Sequence, residues 1–197
     1  MTMRLLLALA ILALSPTIAF AHAGIGDTAG FLHGFEHPVG GIDHVLAMVA
    51  VGVFAFVLGG RALWLVPLSF VGMMVVGFAL GIARFDPPFV ELGIALSSIV
   101  IGAAAALGRP MPVALAMGLV GIFAVFHGYA HGAEMPETAA GLTYALGFAA
   151  ATALLHLAGI AAALGVAKLV SRHGKIAAQL AGGVFALGGL GVLAGWL

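Results

Sequence analysis

Ala62-Leu63-Trp64-Leu65-Val66-Pro67-Leu68-Ser69-Phe70-Val71-Gly72-Met73-Met74-Val75-Val76-Gly77-Phe78-Ala79-Leu80-Gly81-Ile82-Ala83 carries no charge from end to end, and Arg61 and Arg84 frame it. A helix needs roughly 20 apolar residues to cross the hydrocarbon core of a bilayer, so this run predicts a membrane-spanning helix over 62–83. Runs of the same kind stand at 42–59, 90–107, 112–130, 141–167 and 176–197. Short breaks separate them: Gly59-Gly60-Arg61, Arg84-Phe85-Asp86-Pro87-Pro88, Gly108-Arg109-Pro110, His131 to Ala140 and Lys168 to Lys175. Gly and Pro punctuate these turns, and none resembles a linker between domains. Residues 22–197 therefore read as one all-α integral membrane domain, a bundle of six transmembrane helices. Composition agrees. With 63% hydrophobic and 7% charged residues and a mean hydropathy of +1.25, the chain has too little polar surface to face water on all sides.

Residues 1–21 read as a cleavable signal peptide. Arg4 is its basic start, Leu5 to Leu14 its apolar core, and Ala19-Phe20-Ala21 a small-x-small cleavage site. The overlapping frame Ala21-His22-Ala23 offers a second site. Cleavage after Ala21 leaves His22 at the mature N-terminus, able to chelate through amine and ring; cleavage after Ala23 removes it. Either cut leaves the mature N-terminus periplasmic in a bacterial inner membrane. Arg61, Arg109, Lys168, Arg172 and Lys175 then fall in inner loops and only Arg84 in an outer one, which satisfies the positive-inside rule. The acids Asp27, Glu36, Asp43, Asp86, Glu91, Glu134 and Glu137 all gather at the outer end, where a cation would arrive.

Several functions are excluded at this stage. There is no cysteine, hence neither a disulfide framework nor a thiolate metal site. The formal net charge is zero, so no basic patch invites nucleic acid. No GxxxxGK[ST] phosphate loop occurs.

Histidine carries what chemistry there is. One cluster is His33-Gly34-Phe35-Glu36-His37-Pro38-Val39-Gly40-Gly41-Ile42-Asp43-His44, and a second is His127-Gly128-Tyr129-Ala130-His131-Gly132-Ala133-Glu134. Ionisable groups at membrane depth are functional candidates by default. Imidazole with carboxylate and no thiolate suits a borderline divalent ion such as nickel, cobalt or zinc. Pro38 suits the start of a helix, and an early start would put His37 and His44, seven apart, on nearly one face. Taken singly, Asp43 could simply complement a helix dipole and His44 could be an interfacial ring bound to water; with Glu36 and His37 beside them, a ligand role is the better account. His127 and His131 are four apart, with Glu134 three further on. A continuous helix places all three on one face, whereas Gly132 and Pro136 suggest a helix end and a Glu134 that reaches in from a loop.

His156, deep in the fifth run, is either a station on a transport path or one half of an interhelical hydrogen bond, with Thr152 one turn earlier as a candidate to orient its ring. His33 and Glu36 are further candidates for the approach path, as is His22. His173, beside Arg172 and Lys175, reads as an ordinary loop residue. Met48, Met73 and Met74 would favour soft copper(I), but thioethers among Leu, Val and Phe are more often packing. Gly77 with Gly81, Gly128 with Gly132, and Gly191 with Gly195 are each four apart, a spacing that suits close helix contact.

At these residues the chain resembles the HupE/UreJ family of hydrogenase- and urease-associated membrane proteins, regarded as nickel permeases. The likeness is carried by His37-Pro38-Val39-Gly40-Gly41-Ile42-Asp43-His44 with Leu46-Ala47-Met48, and by Phe126-His127-Gly128-Tyr129-Ala130-His131-Gly132-Ala133-Glu134. Gly147-Phe148-Ala149-Ala150-Ala151-Thr152-Ala153-Leu154-Leu155-His156 carries it also. The resemblance implies that His37, Asp43, His44, His127, His131 and Glu134 recognise or pass nickel.

The resulting expectation is a permease, not an enzyme, importing nickel(II) or a neighbour such as cobalt or zinc for hydrogenase or urease maturation. It would hold no permanent cofactor. Its partners would be the ion, the lipid bilayer and a cytoplasmic nickel chaperone. Three rivals remain: an intramembrane zinc-dependent hydrolase, with His44, His127 and His131 as ligands and Asp43 or Glu134 as base, a membrane cytochrome with axial histidines, and a purely structural subunit, which leaves the two histidine clusters unexplained.

Overall fold

A computed structural model describes residues 27–85, 87–135, 140–170 and 173–197. The expected signal peptide at 1–21 and His22 lie outside these described residues. Those described form α-helices joined by short turns, with no strand among them. The helices are α1 (Asp27–Gly40), α2 (Ile42–Leu58), α3 (Ala62–Ile82), α4 (Val90–Leu107), α5 (Val113–Ala133), α6 (Gly141–Val170) and α7 (Gly174–Leu193).

Helices α3 to α7 are each long and apolar enough to cross a membrane. The first expected span is different. Helix α2 has 17 residues and α1 has 14, and the two meet at a bend of 83°. Five helices therefore qualify as spans, and the count reaches six only if the bent pair is taken as one. The break lies at Gly41, whose φ of −97° and ψ of 120° are extended. Pro38 sits inside α1 rather than at the start of α2. Its missing N–H weakens the last turn of α1, and the Gly40-Gly41 pair, poor in helix propensity, ends that helix.

Helix α3 packs along α5, α4 along α7, and α6 along both α1 and α2. Glycine permits the tightest of these contacts. A methyl group on Gly77 of α3 would strike the Val125 carbonyl oxygen, and one on Gly128 of α5 would strike that of Met74; Gly81 and Gly132 continue the same seam. The expectation for these two pairs holds, but it fails for Gly191 and Gly195. Helix α7 ends at Leu193, so Gly195 is not on it at all. It has a φ of +70° and faces open space, while Gly191 meets Leu197 of its own C-terminus. Gly182 and Gly189 make the contact with α4 instead, against Gly102 and Ser98.

The bundle reverses the soluble pattern. Trp64, Leu68, Ile122, Leu180, Val184 and Leu187 are exposed on its outside, while His127, His131, His156, Ser97, Ser98 and Thr152 are buried within. Lipid tails are as apolar as leucine, so nothing drives such side chains inward, and polar groups find their partners between helices.

Candidate metal centre

Three of the packed pairs converge on one polar core. His37 comes from the last turn of α1, Asp43 and His44 from the first turn of α2, and His127 and His131 from the last two turns of α5. The ring centroids of His37 and His131 are 4.9 Å apart, those of His44 and His131 5.0 Å, and those of His44 and His127 4.7 Å. The two histidine motifs, over 80 residues apart in the chain, thus form one continuous group of rings. His37 and His44 do not share a helical face, as the early-start reading requires. The bend at Gly41 brings their centroids to 6.5 Å.

The carboxylates take different roles. Asp43 Oδ1 accepts the His44 backbone N–H at 2.8 Å and lies 3.0 Å from His44 Nδ1. A carboxylate can only accept, so Nδ1 carries the proton and Nε2 the lone pair. The latter atom is buried and has no hydrogen-bond partner among the described residues. This is the arrangement by which carboxylates orient ligating histidines. Glu134 caps the C-terminus of α5 with a right-handed helical backbone, its N–H bonded to the Ala130 carbonyl oxygen at 2.9 Å, so it closes the same helical turn that carries His131. Its carboxylate lies 3.1 Å from His37 Nε2 at the rim, with the two side chains 54% and 32% exposed. Ion pairs this exposed contribute about 0–1 kcal/mol. Glu134→Gln is therefore expected to change the unfolding free energy by less than about 1 kcal/mol, read from thermal melts of the purified protein.

Aromatic side chains wall the group. The Phe148 ring stacks on His131 at 4.9 Å with an interplanar angle of 8°. Phe70 stands between His127, at 5.7 Å, and His156, at 5.1 Å. Tyr144 is fully buried against Phe148, and its hydroxyl has no hydrogen-bond partner among the described residues.

His156 lies about 18 Å along α6 from Tyr144, at 1.5 Å per residue. It is 1% exposed, and neither ring nitrogen has a hydrogen-bond partner among the described residues. Thr152 does not orient it. That hydroxyl donates to Met74 Sδ at 3.6 Å, because α3 presents Met74 to this turn of α6. His33 is exposed near Tyr144, and Glu36 is exposed on α1.

Phe70, Tyr144 and Ser97, which lies 2.9 Å from His127 Nε2, do not stand out in the sequence, and Phe148 does so only within the Gly147–His156 stretch. Aromatic residues in an apolar run look like lipid-facing or core residues until the fold gives them neighbours. Ser97-Ser98, a polar pair in the interior of the run 90–107, is the one available signal. His127 Nδ1 and both nitrogens of His131 are buried and, among the described residues, without a hydrogen-bond partner. Also among these residues, no group of three or more His, Asp or Glu side chains is placed so as to hold a metal ion. The rings pack edge to face, and joint coordination requires them to turn.

The fold and this core define a helical membrane protein with a buried histidine cluster at one end of its bundle. The chain belongs to the HupE/UreJ family: the family model described as "HupE / UreJ protein" matches residues 9–192. It is also 45% identical to "Protein HupE" of Rhizobium leguminosarum bv. viciae over 188 residues, covering 95% of each chain. No solved structure matches it.

Proposed function

We propose that the chain is a permease that takes a divalent transition-metal ion, nickel(II) before cobalt or zinc, from the periplasm to the cytoplasm. One observation carries this reading: His44 Nε2, His127 Nδ1 and both His131 nitrogens are buried together and, among the described residues, have no hydrogen-bond partners. Burying a polar group unpaired costs free energy. A cluster of such groups is readily understood if a cation replaces water as their partner during part of the cycle. The family lends support, being associated with nickel accessory function for hydrogenase and urease.

In this scheme Glu36, His33 and Glu134 draw the hydrated ion to the outer rim. His37, His44, His127 and His131 then replace part of its water shell, with Asp43 steadying His44. His156 receives the ion further in and passes it toward a cytoplasmic nickel chaperone. The chain acts as a carrier and not as an enzyme. A potential of about 100 mV, inside negative, contributes roughly 4–5 kcal/mol per divalent ion, enough to drive import.

The test is uptake of nickel, cobalt and zinc, each separately, into proteoliposomes with an imposed inside-negative potential. Nickel is expected to accumulate above protein-free liposomes. If none of the three ions enters while the purified protein retains a stoichiometric metal, the permease reading fails and the zinc hydrolase reading replaces it. Acidity provides a second check. Ligating imidazoles must be neutral, so protons compete with the ion, and initial uptake rates are expected to fall as the outer medium is acidified.

A further inference from the structure

Ser97 lies in α4, buried and opposite His127. Its Oγ is 2.5 Å from the Ile94 carbonyl oxygen one turn back and 2.9 Å from His127 Nε2. A serine hydroxyl has one proton to give. The carbonyl oxygen can only accept, and a bond from serine to the carbonyl of the preceding turn is a common helical arrangement. With that proton directed to Ile94, Oγ faces the imidazole with its lone pairs, and His127 Nε2 must be the donor. A neutral ring that donates through Nε2 carries its lone pair on Nδ1. That atom is buried and has no hydrogen-bond partner among the described residues, and the His44 ring lies 4.7 Å away, centroid to centroid.

We propose that Ser97 is a positioning residue that locks His127 in its Nε2–H tautomer and so makes Nδ1 the atom offered to the cation. The inference rests on the permease reading for the identity of that cation. Asp43 sets the opposite tautomer in His44, where Nε2 is the free atom. Two histidines from different helices thus present different ring nitrogens to one centre. A bond through Nδ1 holds the ion closer to the backbone of α5 than one through Nε2 would, so the choice of atom places the ion in the core. The neighbouring Ser98 supplies a control. Its hydroxyl donates to Ala95 at 3.3 Å, and it faces Gly189 of α7 rather than the histidines.

The experiment uses the full chain in nanodiscs, labelled with 15N-histidine. Ring signals are recorded without metal and with zinc(II) as a diamagnetic probe, and nickel(II) affinity is measured by calorimetry. His127→Gln assigns the relevant ring signals. The parent chain is expected to show His127 as the Nε2–H tautomer, with the zinc-induced shift at Nδ1. Ser97→Ala is expected to mix the two tautomers and weaken nickel binding about 10–100-fold, the usual cost of removing a group that orients a ligand. Ser97→Thr, which keeps the hydroxyl, is expected to restore both readouts, and Ser98→Ala to bind within about twofold of the parent. An Nδ1–H tautomer in the parent chain overturns the proposal, as does Ser97→Ala with unchanged ring signals and affinity. A parent chain that binds neither ion overturns it together with the permease reading. Binding through Nδ1 without uptake into liposomes supports the proposal and strikes the permease reading alone.

Discussion

The His131→Phe variant is expected to fold with a Tm equal to or above that of the parent chain and to transport no nickel. The His131 ring is fully buried, stacked on Phe148, and has neither nitrogen hydrogen-bonded among the described residues. A phenyl ring keeps the stacking and removes two polar atoms whose burial is costly, roughly 1–3 kcal/mol for each group left unsatisfied. Transport should respond in the opposite sense. Loss of a mere supporting group around a metal costs 10–100-fold in affinity, so loss of a ligand is expected to cost at least about 100-fold. Uptake assays and thermal melts on the same preparation separate the two effects. His173→Ala, an exposed residue at the start of α7, should leave both unchanged. If His131→Phe transports nickel at the parent rate, His131 is a packing residue and the site must be redrawn without it.

A comparably large effect, on stability, is expected where α3 meets α5. Gly77→Ala and Gly128→Ala each push a methyl group into a backbone carbonyl of the facing helix. Backbone cannot rotate aside, so the helices must part. Overpacking of this kind costs typically 1–3 kcal/mol and at times more, and the double variant should exceed either single one. Gly72→Ala, on the same helix but facing nothing within 4 Å, isolates the cause. There the greater helix propensity of alanine is expected to leave stability unchanged or raise it by up to about 1 kcal/mol. Thermal unfolding of the three single variants in one detergent is the comparison; equal losses at Gly72 and Gly77 would refute the contact argument.

Much of the architecture could be read from the chain because a bilayer imposes so strict a requirement on length and apolarity. The run 62–83 became α3 (Ala62–Ile82), and 90–107 became α4 (Val90–Leu107). The i, i+4 spacing of His127 and His131 placed both rings on one side of α5 for the same reason: a helix was already implied. The first span was harder. Pro38 was compatible with the beginning of one helix or the end of another, and only packing of α1 along α6 decides for the latter. Thr152 meets Met74 rather than His156, because helical spacing says which residues share a face but not which helix stands opposite. Gly191 and Gly195 failed because a four-residue spacing has meaning only while the helix continues. Ser97 and Phe70 were invisible as site residues, since their significance comes from α4 and α3 being brought against α5.

The order His127-Gly128 and His131-Gly132 has a consequence for how the protein can change. Each glycine touches α3 with its backbone, and each histidine next to it turns into the polar core. The two motifs are therefore interleaved along the same turns of α5, and spacing between helices is tied to spacing between rings. A lineage adapting to an ion of another radius could not widen this seam without shifting both imidazoles by the same increment. Room for such adaptation lies elsewhere, in the Phe70, Tyr144 and Phe148 wall, where one side chain can be exchanged while the helix axes stay in place. Related sequences that differ in ion preference should accordingly vary at the wall and keep the His-Gly pairs, and laboratory selection for altered preference should find its mutations there.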